Sequence, residues 1–356
     1  MNIEQNIEHI EINNFKSIKS AVIEGCSRIN VLVGKPNVGK SNILEALGLF
    51  SLPYTKYNRF QLDGIARLEN ENQLFFDGNN KEPIRIKTNI SECKINYNEG
   101  EELEFNISFK KEIAENLKTT IPSLQSLQYG LENPTSKYVI NNKSRVKLSF
   151  QIHEIRKSFE LPTIKKYSFP KKITTSKKNN INFLLPPFGS NLAQVLEYLP
   201  KLREELQEIF KEYDLNLLLD TGTNSVRILK NQHSKETVFS LPFQSIADTL
   251  QRIIFYKTAI QSNKNSVLIF EEPEAHAFPP YIKALTEEIK LDLNNQYFIA
   301  THSPFVFDTL LEDKNLDLSV YVVSYKKQTK IRKLSVQELN DVHKYGTDIF
   351  FNIETF

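Results

Sequence analysis

The most informative stretch of this chain is Val31-Leu32-Val33-Gly34-Lys35-Pro36-Asn37-Val38-Gly39-Lys40-Ser41. It begins as an apolar strand, continues as a glycine-bearing loop and ends where a helix is expected to start. The spacing G-x-x-x-x-G-K-S is typical of a phosphate-binding loop, in which glycines let backbone N–H groups point at phosphate oxygens. The positive end of the following helix dipole adds to that attraction. The expected nucleotide-binding residues are Gly34, Lys35, Pro36, Asn37, Val38, Gly39, Lys40, Ser41 and Asn42.

Two side chains of this loop have specific expected roles. Lys40 would reach the outer phosphates as a mobile cation, and the hydroxyl of Ser41 would ligate Mg²⁺. The alternative is a chance match inside an ordinary strand–turn–helix unit. The apolar run Ile29–Val33 before the loop, and the helical spacing of apolar residues after it, favour the functional interpretation because they supply the context that the motif requires.

Composition excludes several classes of protein. An apolar share of 40% with 25% charged residues is typical of a soluble globular chain, and a net charge of +2 leaves any nucleic-acid site to a local patch. Cys26 and Cys93 match neither a zinc spacing nor a disulfide framework. The first residues lack a signal-peptide pattern, and no apolar run approaches the roughly 18 residues of a membrane span. We therefore expect a cytoplasmic protein without a membrane partner.

The pattern along the chain predicts an α/β fold that is interrupted by an insertion. Near-continuous apolar runs at 29–33, 266–270 and 297–300 are typical of strands buried on both faces. Between them, alternating segments such as 84–87 and 146–152 indicate antiparallel strands with one solvated face. The expected divisions are residues 1–58 as the first part of the nucleotide-binding core, 59–190 as an inserted α+β or helical lobe, 191–330 as a helical segment and the rest of the core, and 331–356 as a peripheral tail.

A cluster of lysines lies within residues 165–178, interleaved with Tyr167 and Phe169. One interpretation is a loop that contacts the phosphate backbone of DNA or RNA. The simpler alternative is a solvated surface loop. The lysines concerned are Lys165, Lys166, Lys171, Lys172, Lys177 and Lys178.

Three acids follow the apolar strand 267–270, in the order Glu271-Glu272-Pro273-Glu274. An enzyme that cleaves a nucleoside triphosphate needs one carboxylate to hold Mg²⁺ or its water shell and another to orient the attacking water. We assign Glu271 to the metal and Glu272 to the water. Because adjacent strand residues point to opposite faces, the strand must end between them. The alternative is an acidic turn after a core strand.

A histidine occupies the corresponding place after the next strand, in Phe298-Ile299-Ala300-Thr301-His302-Ser303-Pro304. The proline suits the first position of a helix, and Ser303 is the expected cap of that helix. His302 would lie on the same rim as Lys40 and Glu272, where it would contact the terminal phosphate or the water. The alternative is a histidine with a purely structural role.

Taken in order, these motifs resemble the ABC-type ATPase heads of the OLD and RecF/SMC-related group. The matching segments are Asn14-Phe15-Lys16-Ser17-Ile18, the loop from Gly34 through Leu47, Gly189-Ser190-Asn191-Leu192-Ala193, Phe270-Glu271-Glu272-Pro273-Glu274-Ala275-His276 and Thr301-His302-Ser303-Pro304. The resemblance covers roughly half of the chain and leaves out residues 59–188. It implies a P-loop NTPase head with a mixed sheet, a Walker A motif at Gly34 to Ser41, a Walker B acid at Glu271, a catalytic acid at Glu272 and a switch histidine at His302.

The resemblance also implies that two copies sandwich two ATP molecules, each offering a signature segment to its neighbour's terminal phosphate. Ser245 and Arg252 are the candidates for that contact. Here the segment reads Ser245-Ile246-Ala247-Asp248, without the glycine that lets backbone N–H groups approach a phosphate, and it equally fits a capping pair at a helix start. Walker B carries Glu271 where aspartate is more common. Residues 303–356 are too few for the Toprim domain that follows in OLD-like nucleases, so any nuclease would be another chain.

The leading hypothesis is a cytoplasmic ATPase that hydrolyses ATP with Mg²⁺. Its nucleotide state would control assembly as a homo-oligomer with a separately encoded effector, such as a nuclease, or with DNA, in bacterial anti-phage defence. One alternative is an ATP-binding scaffold that does not hydrolyse ATP, and another is a RecF-like DNA repair ATPase. Gln61 and Gln73 are the candidates for a glutamine that senses Mg²⁺.

Overall fold

The computed structural model describes the following residues of the chain: 6–57, 62–98, 102–109, 135–142, 150–156, 163–173, 179–230 and 239–356. The strands are β1 (Ile10–Phe15), β2 (Ile18–Ile23), β3 (Ile29–Val33), β4 (Ile84–Thr88), β5 (Ser91–Asn98), β6 (Glu102–Phe109), β7 (Thr135–Asn142), β8 (Phe150–Arg156), β9 (Ile164–Tyr167), β10 (Leu215–Asp220), β11 (Ser225–Lys230), β12 (Phe239–Pro242), β13 (Val267–Glu271), β14 (Gln296–Ala300), β15 (Leu318–Tyr325) and β16 (Thr329–Lys333). The helices are α1 (Lys40–Gly48), α2 (Leu192–Tyr198), α3 (Pro200–Lys211), α4 (Asp248–Ser262), α5 (Pro279–Leu291), α6 (Pro304–Leu311) and α7 (Val336–Tyr345).

A six-stranded core sheet carries the phosphate-binding loop. Its order is β16-β15-β3-β14-β13-β9, and every neighbouring pair is parallel except β15 with β16. The apolar runs that form β3 and β14 are buried at every residue, which is the pattern of parallel strands covered on both faces. The register pairs Leu32 with Ala300 and Ala300 with Glu271, so that the ends of three strands lie side by side.

A second sheet has seven antiparallel strands in the order β2-β1-β4-β5-β6-β7-β8. Burial alternates along β4 and β6, because one face packs on the core and the other meets solvent. Helix α1 lies against β1 of this sheet and against β9, β13 and β14 of the core sheet. Its apolar residues thus belong to one cluster with both sheets.

The other face of the core sheet packs against the remaining helices and a three-stranded sheet in the order β10-β11-β12. Consecutive residues of β14 point into different hydrophobic clusters on the two faces of the sheet. Phe298 belongs to the cluster around α1, and Ile299 belongs to the cluster under α4 and α5. The core sheet is therefore the shared middle layer of the molecule.

The observed strand pairing and burial depart from the expected divisions in three ways. Ile164–Tyr167, inside the expected insertion 59–190, forms β9 and pairs parallel with β13, so the core sheet takes its edge strand from that region. The expected insertion also continues the sheet that β1 and β2 begin, since β1 pairs with β4. The expected tail 331–356 begins within β16 and buries Leu334, Ile349 and Ile353, because its apolar side chains complete the cluster under the helices.

We expect the central strand β14 to dominate the stability of the core. Ile299 has no exposed surface, and its truncation to alanine leaves a cavity between the sheet and the helices. Ile299→Ala should lower the free energy of unfolding by about 2–5 kcal/mol in urea titrations. Leu293→Ala is the control, since Leu293 is 69% exposed and its truncation should change that energy by less than about 0.5 kcal/mol. Equal losses in both variants would contradict the assigned core.

Candidate active site

Two glycines allow the loop between β3 and α1 to pass very close to neighbouring residues. A Cβ at Gly39, where φ is +105°, would lie 2.1 Å from Thr329 Oγ1, and a Cβ at Gly34 would lie 2.2 Å from the carbonyl oxygen of Val323. No other residue type fits either place. Asn37, between them, also has a positive φ of 61°, so the loop turns repeatedly around a central space.

Lys40 closes this loop from the first turn of α1. Its ammonium donates to the carbonyl oxygens of Gly34 at 2.7 Å and Lys35 at 2.9 Å. Burial lowers the pKa of Lys40 to about 8, although the nearby carboxylates of Glu272 and Glu271 oppose that shift. The amine is thus held inside the loop at the place where a phosphate group would meet it.

The hairpin of β15 and β16 supports the loop from outside. Thr329 Oγ1 donates to the carbonyl oxygen of Val38 at 2.9 Å and shares a hydrogen bond of 2.6 Å with Ser17 Oγ. Ser17 Oγ in turn accepts from the side-chain amide of Asn42 at 2.6 Å. Sequence analysis placed Ser17 in a motif without a role and missed Thr329, because its contact is with a residue almost three hundred positions away.

The strand β13 ends between the first two acids, as required for them to reach one site. Glu271 is its last residue, and Glu272 turns away with a positive φ of 43°. The backbone N–H of Glu272 donates to the carbonyl oxygen of Ala300 at 2.9 Å, which ties the turn to the end of β14. The two carboxylates consequently enter the site from different directions.

Glu271 is surrounded by a hydroxyl and two cations. Burial opposes its ionisation, but the charge of Lys166, a hydrogen bond from Ser41 and the charge of Arg67 outweigh burial and lower the pKa of this carboxyl. The guanidinium of Arg67 donates to Glu271 at 2.7 Å, and the ammonium of Lys166 lies 3.6 Å away. Ser41 and Glu271, the two predicted metal ligands, are therefore direct neighbours.

A second buried acid, Glu45 of α1, belongs to the same electrostatic cluster and was missed by sequence analysis. Arg67 bridges Glu45 and Glu271, with its Nε 3.0 Å from Glu45. Lys16 pairs with the other oxygen of Glu45. Only the position of Glu45 one helical turn after Ser41 could have signalled this cluster, since helical residues four apart share a face.

His302 follows β14 and faces the second acid. Its Nε2 lies 3.6 Å from a carboxylate oxygen of Glu272. Burial and the charge of Lys40 lower the pKa of His302, although the charge of Glu272 opposes that shift. Ser303 occupies the cap position of α6 without a side-chain hydrogen bond to the helix, which corrects the predicted capping role.

These groups line one cavity of about 700 Å³. It brings together Lys40 and Ser41 of the loop, the acids Glu271 and Glu272, and His302. The remaining lining residues are Lys16, Pro36, Asn37, Gly39, Asn42, Glu45, Arg67, Ser168, Phe169, Arg252, Tyr256, Ala275, His276 and Ala300.

Of the two expected signature residues, Arg252 lines the cavity and Ser245 does not. Arg252 lines the cavity of its own chain, where its guanidinium pairs with Asp248 at 2.7 Å and lies 4.7 Å from the ring centre of Phe169. Ser245 ends the 3₁₀ turn Phe243–Ser245 and is not among the residues lining the cavity. Helix α4 begins at Asp248 after Ala247, so the alternative of a Ser245 capping pair is wrong.

The predicted basic loop needs correction at its first two lysines. Lys165 and Lys166 lie in β9 and are 5% and 2% exposed, because their side chains alternate to opposite faces of the strand and find internal partners. Lys165 donates to Asn263 at 2.5 Å and to Ser266 at 3.1 Å. A nucleic-acid contact by either side chain is excluded by this burial. Of the others, Lys171 and Lys172 are exposed, whereas Lys177 and Lys178 lie outside the described residues.

Of the two glutamine candidates, the structure describes only Gln73, and this residue does not line the cavity. The side chain of Gln73 accepts from the backbone N–H of Glu69 at 2.7 Å, and Gln73 is not among the lining residues. Gln61 lies outside the described residues. At the end of β9, the strand beside β13, Ser168 and Phe169 line the cavity instead.

Comparison with known proteins agrees with this geometry. Residues 29–308 match the family described as "AAA domain, putative AbiEii toxin, Type IV TA system". An "ATP/GTP phosphatase" of Helicobacter pylori is 24% identical over 344 residues, a region that covers 87% of this chain and 89% of that protein.

Two solved Smc head domains cover nearly all of the chain. One, with an extended coiled coil and bound to the C-terminal domain of ScpA derived from Pyrococcus furiosus, has a TM-score of 0.51 at 14% identity over 95% of this chain and 98% of that one. Another, bound to the C-winged helix domain of ScpA, has a TM-score of 0.49 at 16% identity over 94% of this chain and 99% of that one.

The fold and the loop define a P-loop ATPase with an ABC-like head. The family match spans most of the chain, and the chain belongs to that AAA family. None of the helices in the described ranges has the length and apolar character that a membrane crossing requires.

The lowered pKa of Lys40 predicts a pH dependence of nucleotide binding. Above pH 8 the free protein carries a growing fraction of neutral amine at Lys40, whereas a bound triphosphate favours the ammonium. Affinity for ATP should be nearly constant from pH 7 to 8 and then weaken by up to ~10-fold per pH unit, as measured by calorimetry. Lys40→Arg stays charged and should show a flat profile above pH 8, while Lys40→Ala should abolish binding. A parent profile that stays flat to pH 9.5 would contradict the role of this amine.

Proposed function

We propose that the chain hydrolyses ATP to ADP and phosphate with Mg²⁺, and that Glu272 positions the attacking water. The observation that carries this proposal is the meeting of Lys40, Glu271, Glu272 and His302 around one cavity. Hydrolysis at such a loop needs a cation for the outer phosphates, a metal-side carboxylate and a separate base. The turn at Glu272, with its φ of +43°, supplies the separation between the two acids.

The residues present fit a magnesium ion. Ser41, in the first turn of α1, is hydrogen-bonded to Glu271, the last residue of β13. Mg²⁺ in nucleotide sites takes one or two protein oxygens together with phosphates and water. Its lowered pKa keeps Glu271 ionised at neutral pH. When bound, Mg²⁺ would neutralise charge on the phosphate oxygens. Arg67 and Lys166 now compensate the same carboxylate.

The chain's own residues account for the remaining steps. Lys40, held over the loop by two carbonyl oxygens, exchanges those contacts for phosphate oxygens. Glu272 accepts a proton from water as the water attacks the terminal phosphorus, and the bond to the β-phosphate oxygen breaks. His302 lies beside Glu272, where it would contact the terminal phosphate or the water from the other side.

We further propose that the nucleotide state controls assembly with a second copy and with a separately encoded effector. The relative's name, "ATP/GTP phosphatase", supports nucleotide turnover. The family description, with its toxin and type IV TA system, supports a role in bacterial defence. Smc heads bound to a ScpA domain share the fold, which supports a protein partner. Within the described part of the basic loop, contact with DNA rests on Lys171 and Lys172. The RecF-like alternative is weakened by the burial of Lys165 and Lys166.

A nucleotide-gated scaffold without hydrolysis is the second candidate. It is favoured by the segment Ser245 to Asp248, which lacks glycine, and by the carboxylate of Asp248, which would repel a neighbour's terminal phosphate. The pairing of Asp248 with Arg252 reduces that repulsion. Phosphate release by the parent protein distinguishes the two functions, because the scaffold binds ATP without steady release.

Glu272→Gln tests the assignment of the base. The amide keeps the shape of the side chain but cannot accept the proton, so turnover should fall by ~10²-fold or more while affinity for ATP is retained. Phosphate release and calorimetric binding would be measured on the same samples. Glu287→Gln, on the outer part of α5 and paired with Lys290, is the matched control and should hydrolyse ATP at the parent rate. Parent-like turnover in the Glu272 variant would refute the assignment.

A further inference from the structure

The third acid of the segment after β13 has no part in metal or water chemistry as assigned above. Glu274 is only 8% exposed and is not among the residues that line the cavity. A buried carboxyl group is costly unless its oxygens are hydrogen-bonded. Its contacts therefore identify what it holds in place.

One oxygen of Glu274 holds the turn that carries the switch histidine. Glu274 Oε1 accepts from Thr301 Oγ1 at 2.5 Å and from the backbone N–H of His302 at 3.1 Å. Thr301 Oγ1 in turn accepts from the backbone N–H of Ser303 at 2.9 Å. A single carboxylate oxygen thereby orders three consecutive residues between β14 and α6.

The other oxygen, Oε2, is buried and has no hydrogen-bond partner among the described residues. Burial raises the pKa of Glu274, although its bonds to Thr301 and His302 oppose that rise. Half of this side chain thus lacks the partner that a buried polar group usually has, and such exceptions concentrate where a group has a role beyond stability.

Two contacts link the end of β13 to the end of β14. The backbone N–H of Glu272 donates to Ala300, and two residues further on the side chain of Glu274 holds Thr301 and His302. The distance of 3.6 Å between His302 Nε2 and Glu272 is set by this pair of contacts. Loss of the second would leave the imidazole free to move relative to the base.

We propose that Glu274 is the positioning residue of His302, acting on the reaction through the 301–303 turn. This inference rests on the proposed function, since it assigns Glu274 to the same hydrolytic site. The acids of this segment then divide three tasks: Glu271 faces the metal, Glu272 the water and Glu274 the histidine.

The first experiment is a double-mutant cycle in a phosphate-release assay. Glu274→Ala removes both hydrogen bonds and should lower kcat by ~10–100-fold, the cost of misplacing a reacting group by about 1 Å, with KM unchanged. Glu274→Gln keeps an acceptor oxygen and should remain within about fivefold of the parent. In a His302→Ala background, Glu274→Ala should cause no further loss. Full additivity of the two losses would overturn the proposal.

The second experiment does not depend on turnover. The imidazole signal of His302 is identified in histidine-labelled protein by its absence from His302→Ala, and its chemical shift is then compared between variants. Glu274→Ala should move this signal and Glu274→Gln should leave it near the parent position. An unmoved signal in Glu274→Ala overturns the positioning role. If the parent does not hydrolyse ATP, the proposed function fails, whereas this comparison still decides where Glu274 acts.

Controls separate positioning from a general loss of stability. Glu288→Ala removes a partly buried acid, one that pairs with Lys257 away from the cavity, and should change neither kcat nor the His302 signal. Should Glu274→Ala not fold, Thr301→Val removes one of the two bonds to Glu274, together with the bond from the backbone N–H of Ser303, and should give an effect in the same direction. Thr286→Val removes a buried hydroxyl that donates to Ile282 at 2.9 Å and serves as its control.

Discussion

The site depends on the parallel register of three strands. Leu32, Ala300 and Glu271 lie in one row across β3, β14 and β13, so the residues that follow each strand emerge at the same edge of the sheet. The loop follows β3, the acids follow β13 and His302 follows β14. A slip of one residue would turn every side chain of a strand to the opposite face, and burial of both faces of the central strands opposes such a slip. Segments that are remote in sequence thereby share one cavity.

Charge balance explains why one buried lysine and two further cations lie around the acids of the cavity. Glu45 and Glu271 bring two carboxylates to the start of α1, and Arg67, Lys16 and Lys166 surround them. A buried carboxylate without a partner would be strongly destabilising. Lys166 itself is buried, and burial lowers its pKa although the charges of Glu271 and Glu45 oppose that shift. Entry of a phosphate and a metal cation would exchange these internal partners for external ones.

Sequence analysis predicted site residues where they form short motifs, with the required residue types close together in the chain. The phosphate-binding loop and the end of β13 are recognisable because glycines, a lysine and consecutive acids are required at fixed short spacing. The lysines of β9 were misinterpreted because their partners, Asn263 for Lys165 and Glu271 for Lys166, are about one hundred positions away. Arg67 and Thr329 were missed for the same reason: each makes its contacts through the tertiary fold, and neither lies in a recognisable motif.

Strain at Glu272 is consistent with the separate role that we propose for this acid. A non-glycine residue at a φ of +43° costs about 1–2 kcal/mol, and an extended continuation of β13 would avoid that cost. Continuation would also place Glu272 on the face of the sheet opposite Glu271, away from the loop. The hydrogen bond from Glu272 to Ala300 stabilises the turned conformation and directs the carboxylate to His302. Since strain of this kind persists where the surrounding structure compensates for it, the fold holds this second acid in place beside the nucleotide-binding loop.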